Sequence, residues 1–258
     1  MKAADRREEL AEHLMKVGYS RIDDLVEHFG ISRMTVHRHI DALARQGILR
    51  KLHGAVTVQP SGLYESAFRY RVTVGHDEKE ALARAALDYV EPGQAIMLDD
   101  STTAATLANV LDKVTPLTVI TNSVASAEHL AKVDEIDLIC LGGQYHRIYN
   151  AYIGLICERP IAALRVNVLF LSASAVQGTT AFIQDQQVVR VKQAMMDVAR
   201  KRILLVDHLK FDKLALNVLG DLSMFDVVLT TDRLPADQVN ALTQAGINLR
   251  VVAMGGPR

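Results

Sequence analysis

The stretch ISRMTVHRHIDALARQGILRKLHGAV, residues 31–56, decides the fold of the N-terminal part of this chain. Ser32 is a favourable N-cap for a helix, and Gly47 suits the left-handed position at which such a helix ends. Three apolar residues repeat at the spacing of one inward helix face: Val36, Ile40 and Leu43. The stretch therefore predicts a capped amphipathic helix that turns its polar residues outward.

A shorter helix is predicted immediately before it. Its apolar residues follow helical spacing at Ile22, Leu25, Val26 and Phe29. We expect the Ser20 hydroxyl to cap its first turn, with Asp23 at the capping-box position, and Gly30 to provide its exit. Two short helices separated by a glycine turn form a helix-turn-helix.

A basic hairpin is predicted after Gly47. Residues 48–52 and 55–58 have the pattern of two strands around a His53-Gly54 turn. Arg50 and Lys51 make this hairpin suitable for contacting phosphates. The combination favours a winged helix-turn-helix.

Charge is distributed unevenly along the chain. The whole sequence balances 29 Lys and Arg against 30 Asp and Glu, but residues 31–60 hold five basic residues against Asp41 alone. The N-terminal end of the second helix is the end that enters the major groove in this motif. An ordinary helical subdomain with a solvated basic face is the alternative. The residues predicted to contact DNA are Ser32, Arg33, Thr35, His37, Arg38, Arg50, Lys51 and His53.

Length and composition set further bounds. A chain of 258 residues, 49% of them hydrophobic, has room for a small module and one substantial core domain. We expect a winged helix-turn-helix domain over 1–58, a linker over 59–76 and an α/β domain over 77–258. The charged N-terminus and the lack of a membrane-length apolar run predict a cytoplasmic protein.

The pattern of cysteine and histidine residues gives no support for metal or redox chemistry. Cys140 and Cys157 both lie in apolar settings, which predicts buried structural side chains. The nine His residues form no HExxH pattern. We expect neither a metal ion nor another cofactor.

Beyond the linker, short apolar runs alternate with helical segments. The predicted strands are 95–98, 117–120, 137–141, 168–171, 203–206 and 226–229, and the helical segments include 102–111 and 187–200. Continuous apolar strands interleaved with helices are typical of a mostly parallel sheet that is covered on both faces. The second part of the chain is therefore predicted to be an α/β domain.

Small, hydroxylated and glycine residues follow these strands. Ligands of open α/β sheets bind at the carboxyl ends of strands, so these residues predict a polar pocket. Each motif alone is equally compatible with an ordinary cap or turn. The strand-end residues expected to bind a ligand are Asp99, Ser101, Thr102, Thr103, Thr121, Asn122, Ser123, Gly142, Gly143, Ser172, Ala173, Asp207 and Lys210.

The expected ligand of this pocket is an anion. Ser101, Thr102 and Thr103 open a helix, where free backbone amides favour a phosphate or carboxylate, and Lys210 can supply a compensating charge. Asp99 has two possible roles: accepting hydrogen bonds from ligand hydroxyls, or holding its own loop.

These motifs together resemble the DeoR family of transcriptional regulators over nearly the full chain. The matching residues of the first part are Ser32, Thr35, Val36, Arg38, Gly47 to Gly54, Glu65, Phe68, Arg71, Glu78 and Lys79. Those of the second part are Asp99, Ser101 to Thr103, Thr121 to Ser123, Leu141 to Gly143, Gly154, Val191, Lys192, Asp207, Lys210 and Phe211.

The resemblance implies a sensor domain similar to the sugar-phosphate isomerase and CoA-transferase fold. It also implies a phosphorylated sugar or related metabolite as effector, Lys192 as a further effector residue, and a homo-oligomer, either a dimer or a tetramer. The expected function is repression of a carbohydrate-catabolism operon, relieved by the effector. The sequence departs from the family pattern at His37, His39, Ala55, Ser101 and Ser172, which leaves the operator and the shape of the pocket open.

Two other classes of function are compatible with this sequence. The related fold supports isomerases and transferases, but the strand-end carboxylates Asp99, Asp100 and Asp207 lack an evident His or Glu partner for acid–base work. A ligand-independent DNA binder is the second, and the polar strand ends disfavour it.

Overall fold

In the computed structural model, which describes residues 3–59 and 65–254, the chain divides into two units, residues 1–74 and 75–258. Three helices and a small sheet, followed by a short helix, make up the described part of the first unit. Its elements are α1 Ala3–Val17, β1 Tyr19–Arg21, α2 Ile22–Phe29, α3 Arg33–Arg45, β2 Arg50–Leu52, β3 Ala55–Thr57 and α4 Phe68–Thr73. The strands are antiparallel in the order β1-β3-β2.

The core of the first unit follows the predicted apolar spacing. Its fully or almost fully buried side chains include Leu10, Leu14, Leu25, Val36, Ile40, Leu43 and Val56. Each such burial contributes about 1.5–3 kcal/mol relative to exposure. The Ser32 side chain accepts a hydrogen bond from the Thr35 backbone amide at 3.3 Å, so the predicted cap of α3 is confirmed. Gly30 and Gly47 both have the predicted positive φ, 60° and 71°.

The start of α2 differs from the prediction. Arg21, rather than Ser20, is the N-cap residue, and the Asp24 carboxylate accepts a hydrogen bond from the Arg21 amide at 3.4 Å. Residues 19–21 pair with β3, and this pairing holds Ser20 in an extended strand where it is buried. The helix therefore begins one residue later than the sequence suggested.

Part of the predicted linker is helical. Residues 60–64 lie outside the described residues, but α4 follows at 68–73. Arg69 of α4 forms an ion pair with Glu8 of α1, and Tyr70 packs against the core of the first unit. The end of the predicted linker thus belongs to the first unit, up to the boundary at residue 74.

The second unit is an α/β structure. Its elements in chain order are α5 His76–Ala86, β4 Ala95–Leu98, α6 Thr102–Ala108, β5 Leu117–Thr121, α7 Val124–Leu130, β6 Ile136–Cys140, β7 Gln144–His146, β8 Ala151–Ile153, α8 Leu155–Ile161, β9 Val166–Leu171, β10 Ala175–Gln177, β11 Thr180–Ile183, α9 Gln186–Val198, β12 Ala199–Leu205, β13 Asn217–Asp221, β14 Val227–Thr231, α10 Ala236–Gln244 and β15 Leu249–Val252. Seven parallel strands form one sheet in the order β15-β14-β12-β9-β4-β5-β6.

Both faces of this sheet are covered, which explains its continuous apolar strands. Ile96 and Leu98 of β4 point into a core shared with α5 and α6, whereas Met97 points into the core that contains α8 and α9. Strand β9 alternates in the same way. The predicted fold class, a winged helix-turn-helix followed by a mostly parallel α/β unit, is confirmed.

Several elements differ from the prediction in detail. Helix α9 ends at Val198 because Ala199 already pairs with Val166 in the sheet. Strand β15 and the antiparallel pieces β7-β8 and β10-β11-β13 were not predicted, since three- to five-residue strands leave little periodicity. Cys157 is buried as expected, but Cys140 is exposed because it lies on β6, an edge strand of the large sheet.

Candidate functional site

The outward face of α3 presents four of the eight residues predicted to contact DNA. Arg33, His37 and Arg38 are exposed, while Thr35 is half-buried beside the Ser32 cap. The inward residues of the same helix form the core of the unit. This arrangement places a row of donor side chains at the N-terminal end of a helix whose opposite face is buried.

Several of the predicted cations already have acidic or carbonyl partners. Arg33 forms an ion pair with Asp23 at 2.7 Å, and Lys51 of the hairpin forms one with Asp41 of α3. Arg50 donates a hydrogen bond to the Gln59 carbonyl at 3.0 Å. By contrast, no described residue forms a hydrogen bond or ion pair with the side chain of Arg38.

The two histidines at which this sequence departs from the DeoR pattern lie in different environments. His37 is exposed on the outward face, but His39 is only 4% exposed and lies among the inward residues of α3. Burial lowers the pKa of His39, and the nearby positive charge of Arg38 lowers it further. His39 therefore cannot reach a base edge. The exposed outward face of α3, which carries Arg33, His37 and Arg38, is the reading face, and His37 is its one departure from the DeoR pattern.

In the second unit, the strand order reverses direction between β4 and β9, which is where ligands bind in open α/β sheets. Asp99 follows β4 at this point. One of its carboxylate oxygens accepts a hydrogen bond from the Ser101 amide at 2.9 Å, and the other accepts one from the Ser172 amide at 2.8 Å. Asp99 thus joins the loops after the two central strands, which is the loop-holding role of the two open from the sequence.

Lys192 of α9 lies beneath these loops as part of a buried charged group. Its ammonium contacts Asp99 and lies 3.2 Å from Asp100, and all three side chains are almost completely buried. Burial acts to lower the pKa of Lys192, but attraction to Asp100 and Asp99 outweighs it and raises the pKa. The ammonium is therefore charged, and both of its neighbours are carboxylates.

Two of the strand-end hydroxyl groups act as helix caps. Ser101 accepts a hydrogen bond from the Ala104 amide at 3.0 Å, and Ser123 accepts one from the Ser126 amide at 3.3 Å. Ser172 Oγ and Asn122 Oδ1 differ, because both are buried and have no hydrogen-bond partner among the described residues. Such a group costs about 1–3 kcal/mol if it stays unpaired. The hydrogen-bonding capacity of these two atoms is therefore unused among the described residues.

The other predicted strand-end residues lie on three further loops or in the first turn of α6. Thr102, Thr103, Thr121, Ala173 and Asp207 are buried, whereas Gly142, Gly143 and Lys210 are at least partly exposed. A side chain on Gly143, whose φ is 152°, would place its Cβ only 2.8 Å from the Ile153 carbonyl oxygen. Glycine is therefore required there.

Lys210 closes a 3-10 turn, His208–Lys210, after strand β12. The Asp207 carboxylate caps this turn by accepting a hydrogen bond from the Leu209 amide at 3.1 Å. The Lys210 ammonium forms no ion pair with any residue that the structure describes. It is thus a cation without a compensating acid at the carboxyl-end edge of the sheet.

A buried carboxylate that the strand-end reasoning missed holds this turn. Glu78, in the first turn of α5, has a fully buried side chain. It accepts hydrogen bonds from the His208 amide at 3.2 Å and from Thr231 Oγ1, and it lies 2.6 Å from His208 Nδ1. Arg233 approaches it at 3.4 Å. The sequence indicates Glu78 only as part of a family motif, because its partners are more than 100 residues away.

A winged helix-turn-helix with exposed cations on its second helix, followed by a parallel α/β unit, defines a DNA-binding regulator. The model of the DeoR C terminal sensor domain matches residues 75–233, and that of the DeoR-like helix-turn-helix domain matches residues 6–61. The chain therefore belongs to the DeoR family, and it is a DNA-binding transcriptional regulator.

Curated relatives match nearly the whole chain. The glycerol-3-phosphate regulon repressor of Escherichia coli K12 is 28% identical over 252 residues, covering 97% of this chain and 100% of the relative. The putative aga operon transcriptional repressor of E. coli O157:H7 is 25% identical and covers 96% and 94%. The L-fucose operon activator of Haemophilus influenzae is 28% identical and covers 89% and 92%. All three are named as regulators, and none as an enzyme.

Solved structures with partial similarity include enzymes and translation factors. Ribose 5-phosphate isomerase A of Methanocaldococcus jannaschii is 22% identical over 54% of this chain and 55% of that chain, with a TM-score of 0.39. Translation initiation factor eIF-2B of Pyrococcus horikoshii is 12% identical over 88% and 82%, with a TM-score of 0.41. Within residues 3–59 and 65–254, no helix is both long and apolar enough to span a membrane.

Proposed function

We propose that this protein represses a carbohydrate-catabolism operon and leaves its operator when a phosphorylated sugar or a similar anionic metabolite binds the second unit. The names of two curated relatives, a glycerol-3-phosphate regulon repressor and an aga operon repressor, support this direction of control. Since another relative is named as an activator, the sign of regulation is part of the proposal. A cytoplasmic location accompanies this role, because operator DNA is there.

DNA recognition is assigned to the N-terminal end of α3 and to the hairpin. Arg38 and His37, exposed on the outward face, read base edges in the major groove. The remaining residues contact phosphates: Ser32, Arg33, Thr35, Arg50, Lys51 and His53. Arg33 and Lys51 exchange their present carboxylate partners for phosphate oxygens on binding.

Effector binding is assigned to the carboxyl-end edge of the parallel sheet. The observation that carries this assignment is that the Lys210 ammonium has no acidic partner among the described residues. At the same edge of the sheet, Ser172 Oγ and Asn122 Oδ1 are buried and unpaired. Lys210 neutralises the phosphate. Ser172 Oγ donates a hydrogen bond to a ligand hydroxyl group or accepts one from it, and Asn122 Oδ1 accepts one. The first turn of α6 adds backbone amides at Thr102 and Thr103, while Gly142, Gly143 and Ala173 line the wall.

The buried charges have a supporting role in this proposal. Asp99 fixes the loops after β4 and β9, and Lys192 compensates Asp99 and Asp100 so that the group stays charged and buried. Asp207 shapes the turn that carries Lys210. The effector thus meets a preorganised edge rather than a flexible one.

We propose that Glu78 transmits effector binding from this edge of the sheet to α5. It holds both the ring and the amide of His208, two residues before Lys210, and it lies in the first turn of α5. Helix α5 is the first element after the boundary at residue 74. A shift of the Lys210 turn on phosphate binding therefore acts on the segment that continues from the DNA-reading unit. Such coupling needs an effector that prefers one arrangement energetically.

A homo-oligomer completes the proposal. Two paired DNA-reading units contact two operator half-sites, whose spacing is set by the geometry of the assembly. Sedimentation of the purified protein, alone and with a duplex that carries two half-sites, measures the number of copies directly.

The proposed effector class is tested by a thermal-shift screen. The panel contains glycerol 3-phosphate and pentose and hexose phosphates, each beside its unphosphorylated sugar and beside inorganic phosphate. At a concentration of 100 times Kd, a binding ligand stabilises the folded state by about 2.7 kcal/mol. We expect stabilisation by one or more phosphorylated members and none by their sugars.

Lys210→Ala provides the residue-level test of the same proposal. Calorimetry with the stabilising compound should show an affinity at least about tenfold weaker, since a charge-assisted contact is worth about 1.5–3 kcal/mol. Lys132→Ala is the matched control, because Lys132 is exposed between α7 and β6, at the opposite edge of the sheet. Unchanged affinity in Lys210→Ala would remove the phosphate-anchor role.

A further inference from the structure

We propose that Met34 is a specificity-determining residue that contacts the C5-methyl group of a thymine in the major groove. The inference rests on the DNA-binding role of α3 and adds an apolar contact to its polar ones. Met34 is 83% exposed, the largest exposure among the large hydrophobic side chains that the structure describes as exposed. The sequence pattern does not single out this residue, because methionine carries no charge or hydrogen-bond donor.

Helix geometry places Met34 at the centre of the reading face. Each residue of an α-helix rotates by about 100°, so Met34 lies about 200° from Val36, which is fully buried. Met34 therefore points away from the core, at the second position of α3. Arg38 follows four residues later on the same face, and both are exposed.

The chemistry of the groove identifies the partner. An exposed methionine gives nothing to the core of this unit, and its neighbours on the outward face are polar. Among the groups that base pairs present in the major groove, the thymine methyl is the apolar one. Burial of Met34 against that methyl removes apolar surface from water on both sides, which no phosphate or polar base edge offers.

The position of Met34 relative to Arg38 predicts where the contacted thymine lies. Residues four apart in a helix are separated by about 6 Å along its axis. Successive bases on one strand are about 3.4 Å apart. The thymine should therefore lie within about two base pairs of the guanine that Arg38 is suited to contact.

The test uses deoxyuridine, which is thymine without the methyl group. A duplex is first selected by the full-length wild-type protein from a randomised library, and each thymine is then replaced singly by deoxyuridine. One position in each half-site should weaken wild-type binding about fourfold, the value of about 0.8 kcal/mol for one buried methyl-sized group.

The variants complete a double-mutant cycle. Met34→Ala should bind the selected duplex more weakly and lose its response to deoxyuridine at that position, whereas Met34→Leu should keep the response. Thermal unfolding of both variants should match wild type, since the side chain is exposed. Uniform wild-type affinity across all deoxyuridine duplexes, or an unchanged response in Met34→Ala, overturns the inference. Failure to select any duplex would instead overturn the DNA-binding role itself.

Discussion

Charged side chains have opposite environments on the reading face of α3 and at the strand-end site of the second unit. On α3 and the hairpin, cations are exposed and either unpaired among the described residues, as Arg38 is, or paired with one exposed carboxylate, as Arg33 and Lys51 are. At the strand ends, Lys192 is buried between two buried carboxylates, whereas Lys210 stays partly exposed with no acidic partner among the described residues. A surface that must meet a polyanion keeps its charges available, whereas a pocket that must keep its shape uses most of them internally.

The buried ion group gives the largest expected effect. Lys192→Met would leave Asp99 and Asp100 buried without a compensating charge, and removal of one partner of a buried pair costs about 3–5 kcal/mol. Chemical denaturation should show this loss in the free energy of unfolding of the second unit. Lys132→Met, on the surface, serves as the control and should leave it unchanged. A loss below about 1 kcal/mol in Lys192→Met would contradict the contrast drawn between the two regions.

On the reading face, removal of one cation should change the affinity for DNA rather than the free energy of unfolding. Arg38→Ala is expected to weaken binding of the selected duplex by about 1–3 kcal/mol and to relax the preference at one base pair. Fluorescence anisotropy on base-substituted duplexes measures both quantities. Arg45, exposed on α3 seven residues further on, provides a matched arginine control. Equal base preferences in Arg38→Ala and wild type would exclude direct readout by Arg38.

We propose that Glu78 couples effector binding to DNA binding, so its replacement should uncouple the two. Glu78→Gln removes the charge that holds the ring and amide of His208. We expect operator and effector affinities to persist separately, while the factor by which the effector changes operator affinity falls toward one from a starting value of about 5–150. Asp77→Asn is the neighbouring control, because Asp77 is exposed and pairs with Arg233.

A second variant tests the same role of Glu78 in case Glu78→Gln does not fold. Thr231→Val removes one hydroxyl donor to Glu78 and keeps the carboxylate and the shape of the residue. It should reduce the coupling factor by less than Glu78→Gln does. Full coupling in both variants would show that the signal takes another route.

The smallest expected effect concerns Asp41, the acid that pairs with Lys51. Asp41→Asn should strengthen DNA binding a few-fold, since it removes a repulsive charge and frees Lys51 for a phosphate. The slope of log affinity against log salt concentration should steepen by about 0.9 for one added phosphate contact. The exposed ion pair makes little difference to folding, so the thermal midpoint should not move. Weaker binding by Asp41→Asn would mean that the pair orients the hairpin.

The sequence predicted the reading face well because that face is local. The Ser32 cap, the inward row from Val36 to Leu43 and the Gly47 exit fall within sixteen residues, and each depends on nearby backbone. The exception is His39, whose burial depends on packing that the chain far from α3 supplies. The structure buries four inward residues of α3, whereas the sequence predicted three, namely Val36, Ile40 and Leu43.

The strand-end site was predicted as a set of positions but not as a network. Parallel strands bring their carboxyl ends to one edge, so Asp99 and Ser172 could be assigned to the same place. The hydrogen bond between them, and those of Glu78 to His208 and Thr231, join residues more than 70 positions apart. No local periodicity carries that information, which is why the role of Glu78 emerged only from the fold.

The central claim is that a phosphorylated metabolite bound in the second unit controls what the first unit does to DNA. The most direct test measures the affinity of the full-length protein for its selected duplex, with and without a saturating concentration of the sugar phosphate that stabilises it most. We predict that operator affinity falls by a factor of about 5–150, and that Lys210→Ala needs at least about tenfold more of the compound to reach half of this change. Unchanged operator affinity at saturation of the wild-type protein would contradict it.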